Sequence, residues 1–132
     1  MTRRELLAAL VALGATACAK TDEPADPVWG KEPCAHCSMI VGDKRSAAQV
    51  GGDGERRFFD DVGCMASWLE KNRGARAWVR TEDGLWIDAR SARYVDGAKT
   101  PMDFGFVPAQ TGFDWDELCA RLAKTRRGEV SR

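Results

Sequence analysis

The chain has 132 residues, of which 44% are hydrophobic and 30% charged, an ordinary balance for a single folded domain. Lys and Arg together number 20, as do Asp and Glu, so the formal net charge is zero. This balance argues against a nucleic-acid-binding surface, and we expect no nucleic-acid partner. His36 is the single histidine, which excludes zinc hydrolases with two histidine ligands, and excludes Ser-His-Asp catalysis unless His36 is the base.

The first 18 residues have the pattern of a bacterial export signal. Arg3 and Arg4 precede an apolar run over residues 6–15, and small residues stand directly before Cys18. This arrangement resembles a lipobox, in which Cys18 is lipidated and becomes the new N-terminus. Export without a lipid and a buried helix with an incidental cysteine are the alternatives, and the general secretory and twin-arginine routes both stay open.

The composition of the chain predicts four segments. We expect a signal peptide over 1–17, a lipidated cysteine with a flexible tether over 18–33, a folded domain over 34–126 and a disordered tail over 127–132. The tether is predicted from its content of Pro, Asp and Lys.

Short β-prone segments alternate with two amphipathic segments within the domain. Strands are predicted over residues 38–41, 47–50, 57–59, 75–80, 85–87, 93–95 and 101–107. The first helix is expected to be capped by Asp60 or Asp61 and to terminate with Gly74 as its C′ residue, and the second is expected to be capped by Asp114. The order of strands, helix, strands and helix predicts an α+β domain with two similar β-rich halves.

The segment Cys34-Ala35-His36-Cys37-Ser38-Met39 contains the residues best suited to metal chemistry. If the chain is a strand over residues 38–41, alternate side chains share a face, so Cys37 and Met39 point the same way. A thiolate and a thioether on one face suit Cu(I), whereas zinc prefers thiolates and imidazoles. We therefore expect a Cu(I) site that includes Cys37 and Met39.

Four further residues are candidates for the same site. Met102 lies in a polar-flanked loop and is a candidate for a third sulfur ligand, whereas Met65 lies on the apolar face of the first helix, where core packing is expected. On a strand His36 would face away from Cys37, so a ligand role, a supporting hydrogen bond and simple exposure all stay open. Cys34 is open as a ligand, a disulfide partner or an idle thiol.

The spacing of Cys34 and Cys37 also fits the redox motif of thioredoxin-like proteins. That motif needs a strand before Cys34 and a helix after it, and neither is predicted here. A zinc site that adds Cys64 and Cys119 lacks a second close cysteine pair. These two cysteines are open as buried thiols or as a mutual disulfide.

The motif Cys34-x-x-Cys37-x-Met39-Ile40 resembles that of the NosL family of periplasmic copper-binding lipoproteins. Further matching stretches are residues 47–50, 59–61, 86–89, 93–95 and 100–102. Family members commonly have Gly where this chain has Ser38, and often have Tyr where it has His36.

The resemblance implies a fold of two ββαβ-like halves with small antiparallel sheets, each with a helix. It implies a Cu(I) chaperone rather than an enzyme, with Cys37, Met39 and Met102 as the ligands. The implied partners are a NosDFY-type ABC transporter and nitrous oxide reductase. The implied location is the periplasm, with a lipid anchor in the outer rather than the inner membrane. A copper storage or sensing lipoprotein and a thiol–disulfide oxidoreductase that uses Cys34 and Cys37 are the alternatives.

Overall fold

The structure is a computed structural model that describes residues 19–52 and 54–128. The predicted signal peptide, Cys18 and residues 129–132 of the predicted tail lie outside this range. A search of the described residues finds no helix with the length and apolar character needed to cross a membrane.

Four antiparallel strands form the larger sheet, in the order β2-β1-β3-β4. Their bounds are Ala48–Gly51 for β1, Arg57–Phe59 for β2, Arg76–Arg80 for β3 and Trp86–Asp88 for β4. Every residue of the central strand β1 is buried, because β2 and β3 flank it and a helix packs against it. The predicted strands over 47–50, 57–59, 75–80 and 85–87 are therefore confirmed to within one residue at their ends.

Helix α1 (Val62–Leu69) follows β2 after two aspartates. The carboxylate of Asp61 accepts a hydrogen bond from the Gly63 N–H at 3.1 Å, which confirms Asp61 as the capping residue. The helix ends well before Gly74, because the chain tightens into successive turns after Leu69. The prediction that Gly74 terminates this helix is wrong.

The smaller sheet pairs β5 (Arg93–Val95) with β6 (Val107–Ala109), and helix α2 (Trp115–Arg126) packs against β5. The strand predicted over 101–107 is wrong except at its last residue. Asp103 and Gly105 have φ values of 60° and 83°, which interrupt an extended chain before Val107.

Two helices and two small antiparallel sheets confirm the predicted α+β fold. The first half follows the order β1-β2-α1-β3, and β4 then adds a further strand to its sheet. The second half follows the order β5-β6-α2. Asp114 caps α2 as predicted, with its side chain accepting from the Glu117 N–H at 2.9 Å. The apolar sides of both helices and the inner strands form one core.

Part of the segment predicted as a flexible tether is attached to the larger sheet. The Ala25 N–H donates to Oε1 of the buried Gln49 at 3.1 Å, and Nε2 of Gln49 donates back to the Ala25 carbonyl at 2.9 Å. The indole N–H of Trp86 donates to Asp26 at 2.8 Å. Over these residues the chain is held to the sheet rather than free.

Candidate metal centre

The loop that carries the two cysteines of the C-x-x-C motif turns back on itself. Its ends are joined by an isolated antiparallel bridge between Pro33 and Ile40. Inside the bridge, the Cys34 N–H donates to the Met39 carbonyl at 2.7 Å, and the Ser38 N–H donates to the Cys34 carbonyl at 3.0 Å. Ser38 has a φ of 69°, which lets the chain reverse at this point.

The strand predicted over 38–41 is therefore wrong. A residue with positive φ breaks the extended conformation, so alternation along a strand is not what orients Cys37 and Met39. The Cys37 side chain is half-buried, whereas the side chain of Met39 is 56% exposed.

Three sulfur atoms and one carboxylate oxygen meet beneath this loop. The ligand atoms of Cys34, Cys37, Asp60 and Cys64 all lie within 4.8 Å of one another. Asp60 directly follows β2, and Cys64 lies in the first turn of α1. The Ala35 N–H donates to the carbonyl of Phe58 in β2 at 2.9 Å, which fixes the loop above the other two elements. This group, called the cysteine cluster below, could hold a metal ion.

Asp60 is the feature of the cluster that most directly points to a cation. Its side chain is fully buried, and its Oδ1 accepts a hydrogen bond from the Cys37 thiol at 3.3 Å. Its Oδ2 is buried without a hydrogen-bond partner among the described residues. A buried carboxylate oxygen without a partner is costly, and a metal ion is one group that satisfies it.

Hydrogen bonds favour the thiolate form of Cys34. The Cys64 thiol donates to this sulfur, and so do the backbone N–H groups of Cys37, Asp60 and His36. Against the opposing effect of burial, these donors lower the pKa of Cys34 to about 6. At neutral pH the cluster therefore contains one ready thiolate.

The other two thiols of the cluster hold their protons. Burial raises the pKa of Cys37 to about 11, and the Asp60 carboxylate and the Cys34 sulfur act in the same direction. The pKa of Cys64 is also raised, first because its thiol donates to Cys34 and then by burial. A metal ion bound by more than one of these sulfurs must displace at least one proton.

The loop of Met102 reaches the same end of α1 as the cluster. The Met102 N–H donates to Oδ2 of Asp61 at 3.0 Å. Burial raises the pKa of Asp61, while hydrogen bonds from Thr100, Gly63 and Met102 oppose this shift. A Cβ atom on Gly63 would overlap the ring of Phe104, so the glycine is what lets this loop close on the helix.

The remaining predicted site residues have different surroundings. The Met102 side chain is 39% exposed and His36 is exposed, whereas Met65 is fully buried in the core. The ligand roles of Met39, Met102, His36 and Met65 stay predictions.

The sequence analysis missed Asp60 and Cys64 as members of the site. Asp60 was considered as a helix cap, and Cys64 as a buried thiol, a disulfide partner or a ligand of a zinc site with Cys119, but neither was placed in the Cu(I) site. The usable signal was that Asp60 directly follows a strand and Cys64 lies in the first turn of the next helix, which places them at the same end of the sheet.

The four cysteines of the described chain are free thiols. A disulfide between Cys64 and Cys119 is therefore not formed. Cys119 lies half-buried on α2 and is not a member of the cysteine cluster. The zinc hypothesis had Cys119 as the fourth ligand, whereas the structure places Asp60 beside the other three cysteines.

The fold and the site define a small α+β protein with a thiol-rich centre that could hold a metal ion. No family model matches the chain. The chain is 32% identical to the copper-binding lipoprotein NosL of Stutzerimonas stutzeri over an alignment of 148 positions, gaps included, and this alignment covers 96% of this chain and 76% of the relative. At this identity and coverage, the chain belongs to the NosL family.

Proposed function

We propose that this protein is a periplasmic, lipid-anchored Cu(I) chaperone that supplies copper for the maturation of nitrous oxide reductase. The observation that carries the proposal is the cysteine cluster, in which three sulfurs and a carboxylate oxygen of Asp60 lie within 4.8 Å of one another. The Oδ2 atom of Asp60 is buried and has no hydrogen-bond partner among the described residues. The relative is named as a copper-binding lipoprotein, which supports both the metal and the anchor.

The chemistry of the donors favours Cu(I) as the ion. Thiolate and thioether sulfurs are soft donors and select Cu(I) over hard divalent cations. Cys34 is a ready thiolate at neutral pH, and Cys37 lies at the solvent-facing side of the cluster. The carboxylate of Asp60 compensates the positive charge of the incoming ion without being exposed to water.

Cys37 is the central ligand in this proposal, because it belongs both to the cysteine cluster and to the ligand set that the family resemblance implies. Cys34 is its buried partner. Met39 is exposed in the same loop as Cys37, and Met102 is exposed in a loop whose backbone is bonded to Asp61, the neighbour of Asp60. In this proposal the two thioethers pass the ion between the cluster and another protein. A proton returning to Cys37 competes with the ion and assists its release.

The proposed donor is a NosDFY-type ABC transporter and the proposed recipient is nitrous oxide reductase. In this proposal Cys18 carries the lipid after residues 1–17 are removed, and the outer membrane is the expected location. The protein binds and passes on its ion and catalyses no reaction.

Thiol–disulfide exchange is the less well supported function. A redox catalyst of this kind needs an accessible cysteine with a low pKa. Here Cys34, with the lowered pKa, is only 2% exposed, while the more accessible Cys37 has a pKa near 11. Turnover in an insulin-reduction assay that is abolished by Cys34→Ala would favour the oxidoreductase.

Transfer to the recipient tests the proposal. The Cu(I)-loaded protein is mixed, without oxygen, with copper-depleted nitrous oxide reductase, and the copper content and activity of the enzyme are followed. We expect both to rise with the wild type and with the matched Cys119→Ala variant, and to stay low with Cys37→Ala. Equal recovery with free Cu(I) and with the loaded protein would contradict a delivery role, and would favour storage or sensing.

A further inference from the structure

The strand register places the cysteine cluster at one end of the larger sheet. Ala48 of β1 pairs with Phe59 of β2, so Asp60 lies one position beyond Ala48. Gly51 is the other end of β1, where it pairs with Arg76. At about 3.3 Å per residue, Gly51 and the position of Asp60 are roughly 13 Å apart along the strand direction.

The N-terminal segment reaches the sheet at the Gly51 end. The Thr21 carbonyl lies so close to Gly51 that a Cβ atom there would overlap it, and the Asp22 carbonyl accepts a hydrogen bond from Arg76 at 3.2 Å. From there the segment runs along the sheet through the bonds of Ala25 and Asp26. Cys18 precedes Thr21 by three residues, which span at most about 11 Å. A lipid on Cys18 would therefore be attached within about 11 Å of Thr21, the residue that contacts the Gly51 end.

Three arginines surround this same end of the sheet. Arg73, Arg76 and Arg90 are exposed and line an open groove of about 580 Å³ together with Asp22 and Asp88. The guanidinium of Arg90 donates to the carbonyls of Ala75 and Arg73, at 3.0 and 3.4 Å. In the described part of the chain, none of the three arginines forms an ion pair with a carboxylate. The three arginines and the two aspartates together give the groove a formal net charge of +1.

We propose that the Gly51 end of the sheet is a docking surface for an anionic bilayer, with Arg73, Arg76 and Arg90 on the lipid headgroups. The proposal rests on the lipid anchor of the proposed function. Because the N-terminal segment is held to the sheet, the anchor fixes which end faces the membrane. The cysteine cluster then faces away from the bilayer, where another protein can reach it. Basic residues close to an anionic bilayer are attracted to its headgroups, so the three arginines favour this orientation of the anchored protein.

Arginine labelling of the lipidated protein tests this orientation. The protein is reconstituted into nanodiscs of phosphatidylcholine, with and without phosphatidylglycerol, and modified with phenylglyoxal. We expect phosphatidylglycerol to slow the modification of Arg73, Arg76 and Arg90 by at least about threefold. Arg45 is the internal control, because it lies beside Lys99 near the Met102 loop, and its modification should not change. Equal protection of Arg45, or no protection of the three arginines, would overturn the proposal.

A pair of variants separates specific docking from general charge. Arg73→Gln should reduce the protection of Arg76 by phosphatidylglycerol, whereas Lys44→Gln, with the same loss of charge at the other end, should leave it unchanged. Equal loss in both variants would count against a defined surface. Inorganic phosphate that protects the arginines as well as the bilayer does would point to a soluble anion instead.

The failures of the two proposals are distinguishable. The labelling needs no metal, so loss of copper binding leaves its result unchanged. A protein that mass spectrometry shows to lack lipid overturns the anchor and the docking together. A lipidated protein with unprotected arginines overturns the docking alone.

Discussion

The thiol of Cys37 donates a hydrogen bond to Oδ1 of Asp60 across 3.3 Å, while Oδ2 of the same buried carboxylate has no partner in the described chain. Without a metal, the proton on Cys37 partly compensates the negative charge of Asp60. A cation at the Cys37 sulfur replaces that proton and takes over its role. Metal binding and proton release are therefore linked at this pair of residues.

Copper affinity is expected to rise with pH. Above about pH 6 Cys34 is already a thiolate, so an ion bound by Cys34 and Cys37 displaces the single proton of Cys37. Between about pH 7 and 9 the association constant should then increase about tenfold per pH unit. Below the pKa of Cys34 the slope should steepen, because two protons compete with the ion. Competition titrations with a Cu(I) chelator measure this slope, and a flat profile would contradict thiolate ligation.

Loss of the Asp61 carboxylate should weaken both the fold and the site. Asp61→Ala removes the cap of α1 and the acceptor for the Met102 N–H. We expect the free energy of unfolding of the metal-free protein to fall by about 1–2 kcal/mol, measured by urea denaturation. Copper affinity should fall as well, because the Met102 loop loses its hydrogen bond to Asp61. Asp61→Asn keeps one acceptor oxygen and should lower the free energy of unfolding by less. An Asp61→Ala variant as stable as wild type would refute the capping role of Asp61.

Replacement of Ser38 by glycine should stabilise the folded protein. The Ser38 φ of 69° is costly for a residue with a Cβ atom, whereas glycine adopts it readily. Ser38→Gly should raise the free energy of unfolding by about 0.5–1 kcal/mol, after allowance for the greater entropy of glycine in the unfolded chain. Ser38→Val is the opposite control and should destabilise the loop. If Ser38→Gly lowers stability, the turn geometry described here is incorrect.

The parts of the fold that the sequence predicts are those with a local signal. The alternation over residues 75–80 and the aspartates before α1 and α2 each act within a few residues, and all three predictions are confirmed. The segment of residues 38–41 is equally β-prone, but Ser38 takes a positive φ and the loop closes through Pro33 and Ile40. Tertiary contacts of this kind leave no periodic trace in a sequence.

The site is predictable only in part for the same reason. Cys37 is identified by its neighbours in the motif, and the structure places it in the cysteine cluster. Asp60 and Cys64 join it because β2 and α1 meet beneath the loop, which depends on the sheet order. Local spacing indicates a thiol-based site but does not indicate which distant residues complete it.

An anaerobic Cu(I) titration against a chelator, comparing Cys37→Ala with Cys119→Ala, tests the central claim most directly. Both variants remove one half-buried free thiol, but only Cys37 belongs to the cysteine cluster. We predict one tightly bound Cu(I) ion in the wild type and in Cys119→Ala, and loss of tight binding in Cys37→Ala. Met39→Leu and Met102→Leu should bind more weakly than wild type. Wild-type affinity in Cys37→Ala would contradict the account.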